Sequence, residues 1–217
     1  TVTDVNGNTS TCTSTITIVD NAPPIALCQN VTVGLNGNGT ASITTNDVNN
    51  SSTDNCAISN VTLSNTVFGC ADQGANTVTL IVRDASNNAS TCTATVTVVD
   101  FLPPTAVCSP ALVQLNGLGQ GTLTAGQVNN GSTDNCPLGL TYAVNPSSYT
   151  CANVGTTTAM LTVTDRGGNT SQCTASVQVL DQVAPTALCQ NLTVAIPVTG
   201  NATITIADVN NGSSDAC

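Results

Sequence analysis

The stretch Thr91-Cys-Thr-Ala-Thr-Val-Thr-Val-Val99 decides the fold. Cys92, Ala94, Val96 and Val98 stand on one side of an extended chain, and Thr91, Thr93, Thr95 and Thr97 on the other. A period of two with one apolar and one hydroxylated face is a β-strand covering a core. Residues 76–84 alternate in the same way, with Val78, Leu80 and Val82 facing inward. The turn-forming run Asp84-Ala-Ser-Asn-Asn-Ala-Ser90 joins the two, which predicts a hairpin. Upstream, residues 28–35 read as a strand in which Cys28 is out of phase with Val31 and Val33, and a bulge between them would turn the cysteine inward. Gly34-Leu-Asn-Gly-Asn-Gly39 marks a turn, residues 41–45 a following strand, and residues 57–65 further β-structure. No segment sustains a helical period. Short strands and closely spaced turns predict an all-β sandwich.

The pattern repeats. Cysteines stand at 12, 28, 56, 70, 92, 108, 136, 151, 173, 189 and 217, so Cys12, Cys92 and Cys173 are 80 and 81 residues apart. The text repeats with them: Asp20-Asn-Ala-Pro-Pro24 matches Asp100-Phe-Leu-Pro-Pro104 and Asp181-Gln-Val-Ala-Pro185. The runs ending Asp-Asn-Cys at Cys56 and Cys136 match the run ending at Cys217. The expected organisation is the C-terminal end of one repeat over 1–20, complete repeats over 21–100 and 101–181, and the N-terminal part of another over 182–217. The chain thus reads as a window from a longer array.

Composition excludes several functions. There is no histidine, lysine, glutamate or tryptophan, and the two arginines against twelve aspartates give a formal charge of −10. No imidazole or amine is available to activate a Ser or Cys nucleophile, so the chain is not expected to be an enzyme. A strongly acidic surface disfavours nucleic acid and anionic membranes as partners, and no apolar run is long enough for a membrane-spanning helix. Gly117-Leu-Gly-Gln-Gly121 is not followed by the helix a phosphate loop requires and reads as a hairpin.

Four regularly spaced cysteines per repeat read as a disulfide framework in an oxidising compartment, since a thiolate metal site would want closely spaced pairs. A repeat of this size with an aliphatic core is marginal on buried area alone. Three pairings are possible per repeat. The one expected joins first to fourth (Cys28–Cys92, Cys108–Cys173) and second to third (Cys56–Cys70, Cys136–Cys151), because the former ties the opening strand to the closing one.

The order Pro-x-x-x-Cys on the first strand, an Asp-Asn-Cys loop, then Val-x-Asp with Asn-rich turns into a last cysteine-bearing strand, resembles the hyalin repeat (HYR) and HYR-like modules. The Thr-, Asn-, Val- and Asp-rich version here is similar to repeats of very large surface adhesins of Bacteroidetes-type bacteria. The resemblance covers the whole chain. It implies tandem immunoglobulin-like sandwiches in an extracellular protein, with a role in adhesion or structural spacing and no chemistry. The partners expected are neighbouring repeats and other copies in a fibre. A stalk or spacer is the reading favoured, because aromatic anchors of binding surfaces are nearly absent. A self-assembling filament subunit and a glycan- or surface-binding module are the alternatives. Pro23-Pro24 and Pro103-Pro104 would make the joints short and stiff, so that repeats stack end to end as a rod.

Within such a sandwich the B–C and F–G loops lie at the end where the chain arrives. Asp47 and Asp54 of the first loop, Asp84 of the second and Asp20 of the linker are therefore predicted to converge. Asp100, Asp134 and Asp165 do so in the next repeat, where Gln127 replaces Asp47, and Asp181, Asp208 and Asp215 recur after that. Convergent carboxylates suit Ca²⁺ as a junction ion. Each aspartate also suits the simpler task of capping its own turn.

Overall fold

A computed structural model describes residues 1–217 and is all-β, folded as two compact units: residues 1–35 with 40–99, and residues 36–39 with 100–217. In the first unit, β1 (Val2–Thr3) and β2 (Thr9–Ser10) form a small exposed hairpin. The sandwich follows from β3 (Val31–Gly34), β4 (Thr40–Ser42), the helical turn α1 (Thr45–Val48), β5 (Ile58–Leu63), β6 (Val67–Gly69), a 3-10 turn over Cys70–Asp72, β7 (Gly74–Asp84) and β8 (Ala89–Val99). One sheet has the order β3-β8-β7-β5 and the other pairs β4 with β6. The β7–β8 hairpin is antiparallel, and β3 lies parallel to β8.

The second unit repeats this plan. It contains β9 (Ala111–Gln114), β10 (Gln120–Thr122), α2 (Ala125–Val128), β11 (Thr141–Asn145), β12 (Ser148–Thr150), a 3-10 turn over Cys151–Asn153, β13 (Gly155–Thr164) and β14 (Thr170–Leu180). Its sheets are β11-β13-β14-β9 and β10-β12. The following stretch carries α3 (Ile206–Val209), and none of residues 182–217 is buried.

The cores match position for position. Leu35, Ile43, Val48, Phe68, Leu80 and Val96 of the first unit correspond to Leu115, Leu123, Val128, Tyr149, Leu161 and Val177 of the second, and all are buried. The alternation of β8 places Ala94, Val96 and Val98 inside, as the threonine pattern requires. One aromatic per sandwich anchors the smaller sheet, a feature the aliphatic composition conceals. The Tyr149 hydroxyl donates to the Pro146 carbonyl at 3.3 Å, and burial raises its pKa.

Two expectations change. The strand predicted over residues 28–35 is split: Cys28 bridges Asn49, and only from Val31 does the chain pair with β8. The two ends of the predicted strand thus have different partners, and Cys28 bonds Cys92 from outside β3. Residues 41–45 do not form one strand either; β4 ends at Ser42 and a helical turn begins at Thr45.

The larger correction is covalent. Cys28 bonds Cys92 and Cys108 bonds Cys173, with Cα separations of 5.9 and 5.8 Å. Cys56–Cys70 and Cys136–Cys151 do not form: Cys56 is a free, exposed thiol, and Cys151 bonds Cys217. Cys70 and Cys136 are each disulfide-bonded. The reason lies in strand direction. Cys56 precedes Ile58, which faces Asp84 at one end of β7, whereas Cys70 precedes Gly74 at the other end, where it faces Val98. β7 spans about 33 Å, and a disulfide needs Cα atoms within roughly 7 Å. The same separation applies between Cys136 and Cys151, because Thr141 faces Thr164 and Gly155 faces Val179.

Candidate functional site at the incoming end of each sandwich

The chain arrives at each sandwich through an aspartate, and the F–G turn grips that aspartate by its backbone. Asp84 Oδ1 accepts from the Asn88 amide at 2.8 Å and Oδ2 from the Asn88 side chain at 2.7 Å. The same Asn88 side chain donates to the Asp20 carbonyl at 3.0 Å. In the second unit Asp165 holds Asn169 at 2.7 and 2.8 Å, and Asn169 donates to the Asp100 carbonyl at 2.9 Å. Asp4 and Asn8 build the same turn at 2.8 Å. These are Asx turns, in which a short carboxylate satisfies local backbone amides. A buried aspartate thereby locks the linker to the last hairpin; Asp84 and Asp165 are only 2% and 5% exposed.

Around the first clasp, three of the four predicted carboxylates converge. One oxygen each of Asp20, Asp54 and Asp84 lies within 4.8 Å of the others. Asp20 Oδ1 accepts from the Ala22 amide at 3.0 Å and the Asn55 side chain at 3.3 Å. Asp54 Oδ2 accepts from the amides of Cys56 and Ala57 at 3.0 and 3.1 Å. The remaining oxygens, Asp20 Oδ2 and Asp54 Oδ1, are buried without a hydrogen-bond partner. Arg83, the cation of this hairpin, turns away and donates to Asn87. Hydrogen bonds from the Ala22 amide and the Asn55 side chain hold Asp20 below the usual carboxylate range. The Cys56 thiol is pushed up, first by its hydrogen bond to Asp20 and then by the charge there.

Asp47 is not in this group. It caps α1: its Oδ2 accepts from the Thr44 amide at 2.6 Å and hydroxyl at 2.8 Å, which lowers its pKa. Gln127 does the same for Thr124 at 2.7 and 3.0 Å, so the residue that replaces Asp47 keeps the capping function. Asp208 caps Thr205 likewise. At the incoming end of the second unit, Asp100 and Asp134 converge with the sulfur of Cys136, and Asp165 stays with its turn. A half-cystine sulfur is no thiolate ligand, so this set offers two carboxylates. Asp134 Oδ1 is again buried without a partner.

Oxygen-only donors with two unpartnered buried carboxylate oxygens fit a hard divalent cation at the first set.

No protein-family model matches the chain, and no curated protein matches it. Among solved structures, it is similar to the extracellular domain of protocadherin gammaB4, at 18% identity and a TM-score of 0.37, covering 79% of this chain and 35% of that one. It is also similar to Drosophila N-cadherin EC1-4, at 12% identity and a TM-score of 0.40, covering 75% and 50%. Human mucin-like protocadherin EC1-2 matches at 14% identity and a TM-score of 0.36, covering 70% and 96%. The chain thus spans about a third of the protocadherin gammaB4 chain, and likenesses of this size assign no function.

Proposed function

We propose that the chain is a structural segment of an extracellular fibre or cell-surface adhesin. In this reading it is a disulfide-stabilised, non-enzymatic spacer built of HYR-like repeats. The observation that carries the reading is the first-to-fourth disulfide of each sandwich. Cys28–Cys92 spans 64 residues and Cys108–Cys173 spans 65. Tension applied through the linkers enters near Cys28, crosses the sulfur bridge to Cys92 and leaves along β8. Along this backbone path the bridge bypasses the residues between the two cysteines even if the sandwich opens. About 64 residues of hidden chain represent on the order of 200 Å of withheld extension. By the loop-entropy account each such bridge also contributes about 4 kcal/mol to stability. Persistent disulfides belong to an oxidising compartment, which supports a secreted or surface location.

In the same reading Ca²⁺ binds Asp20, Asp54 and Asp84 and stiffens the arriving linker against the F–G turn. The two buried, unpartnered oxygens support it, because an ion would offset the cost of burying them. Single-molecule pulling tests the spacer role. Oxidised chain should yield only the short segments between bridges, whereas reduced chain should release on the order of 200 Å more per unit. Equal extension in both states would contradict it. For calcium, the melting transition of the first unit should rise with added Ca²⁺ and fall with chelator; an unchanged transition removes the ion from the account.

A further inference from the structure

The second and third cysteines of each repeat lie at opposite ends of its sandwich. The third, Cys70 or Cys151, follows β6 or β12 at the outgoing end, next to the strand that leaves for the following repeat. The second, Cys56, Cys136 or Cys217, closes the Asp-Asn-Cys or equivalent loop at the incoming end. Cys151–Cys217 joins these two kinds of position across a repeat boundary, over 66 residues. Gly119 accommodates that bond: a Cβ there would stand 2.5 Å from Cys151 Sγ and 3.3 Å from Cys217 Sγ, and its φ is +68°. Cys70 and Cys136 occupy the third and second positions of their own repeats, and both are disulfide-bonded. Cys56 alone among the second-position cysteines is free, and it is exposed.

From this we infer that Cys56 is a docking thiol for the third-position cysteine of another repeat of this type. The covalent link between repeats would then run through a sulfur bridge as well as through the proline linker. The proposal rests on the spacer reading only for the identity of its partner, another repeat. That partner has two sources with one chemistry, a repeat N-terminal to this one in the same polypeptide or a repeat of a second copy. Residues 1–20 do not supply it, because their Cys12 aligns with Cys92, a fourth-position cysteine. The bond forms by thiol–disulfide exchange. The third-position thiol first becomes a mixed disulfide with an oxidant such as oxidised glutathione. Cys56 thiolate then attacks that protein sulfur, and glutathione thiolate leaves with the bonding pair. Two thiols lose two protons and two electrons, and one oxidised glutathione becomes two reduced ones.

The test frees a third-position thiol within the full chain. Cys217→Ser leaves Cys151 without its partner while Cys56 stays free. Incubated in a glutathione redox buffer, this variant should form a ladder of head-to-tail multimers on a non-reducing gel. Acid peptic digestion should yield a linked Cys56–Cys151 peptide. The double variant C56S/C217S should lose the ladder. Wild-type chain, whose Cys151 is occupied, should stay monomeric unless a separately supplied N-terminal repeat caps Cys56, which separates the same-chain source from the second-copy source. Retention of the Cys108–Cys173 peptide in each variant reports that the sandwich has folded. A ladder that survives C56S/C217S and runs through Cys12 or Cys189 would overturn the proposal, as would Cys151 ending only as its glutathione adduct. Neither outcome touches the extension expected of the Cys28–Cys92 bridge, so failure here and failure of the spacer reading are separable.

Discussion

The incoming ends of the two sandwiches share one clasp and differ by one sulfur. In both, an aspartate of the F–G turn holds an asparagine that in turn holds the arriving linker, through Asn88 and Asp20 in one and Asn169 and Asp100 in the other. In the first unit the neighbouring cysteine is a free thiol beside three carboxylates, and in the second it is a half-cystine beside two. The comparison separates roles that the spacing of acidic residues blurs together. What recurs unchanged, the Asx clasp, is architecture. What changes with the state of the cysteine is the capacity to take a cation or a covalent partner.

The largest effect should come from the bridges that both units share. Replacing Cys28 and Cys92 together by serine should cost the first unit about 4 kcal/mol, and the Cys108/Cys173 pair should cost the second about the same. Chemical denaturation of each variant measures this, and a cost confined to one unit would break the equivalence. Next come the matched cores: Leu80→Ala and Leu161→Ala should each lose about 3 kcal/mol, because both side chains are fully buried in equivalent sheets.

Calcium sharpens the contrast. Added Ca²⁺ should raise the transition of the first unit more than that of the second, and Asp54→Asn should abolish the difference. Asp47→Gln should leave both the Ca²⁺ response and stability nearly unchanged, since Gln127 already caps the equivalent helix. Asp47→Ala should cost about 1 kcal/mol with the Ca²⁺ response intact. The smallest effect is in pH. Asp20 and Asp47 have folded pKa values below the unfolded value. Their contribution is therefore present above the ordinary carboxylate range and lost as pH falls through their lowered values. The melting temperature should fall below about pH 4, and less so in Asp47→Gln. Alkylation of Cys56 should require higher pH than an ordinary thiol and should speed up in Asp20→Asn, because the carboxylate that disfavours the thiolate is gone.

Much of the fold was legible in the strands themselves. The Thr/Val alternation of residues 91–99 and the Asx-rich turn after Asp84 specify a hairpin by purely local rules, and the repeat of the cysteines specifies the copies. The convergence of Asp20, Asp54 and Asp84 also followed from where sandwich loops must lie. Asp47 was misplaced because a capping box and a ligand loop use the same residue type, and only the Gln127 substitution tells them apart. The second-to-third disulfide was misread for a topological reason. A separation of fourteen positions from Cys56 to Cys70 looks like a short closable loop, yet β5 and β6 carry the chain the length of the sandwich. Spacing along the sequence gives loop size but not the direction in which the intervening strands run.

The most direct measurement is a disulfide map of the native chain, digested at acid pH to prevent exchange. The account predicts Cys28 linked to Cys92, Cys108 to Cys173 and Cys151 to Cys217, with Cys56 recovered as a free thiol. Cys56 linked to Cys70, or Cys136 linked to Cys151, would contradict it.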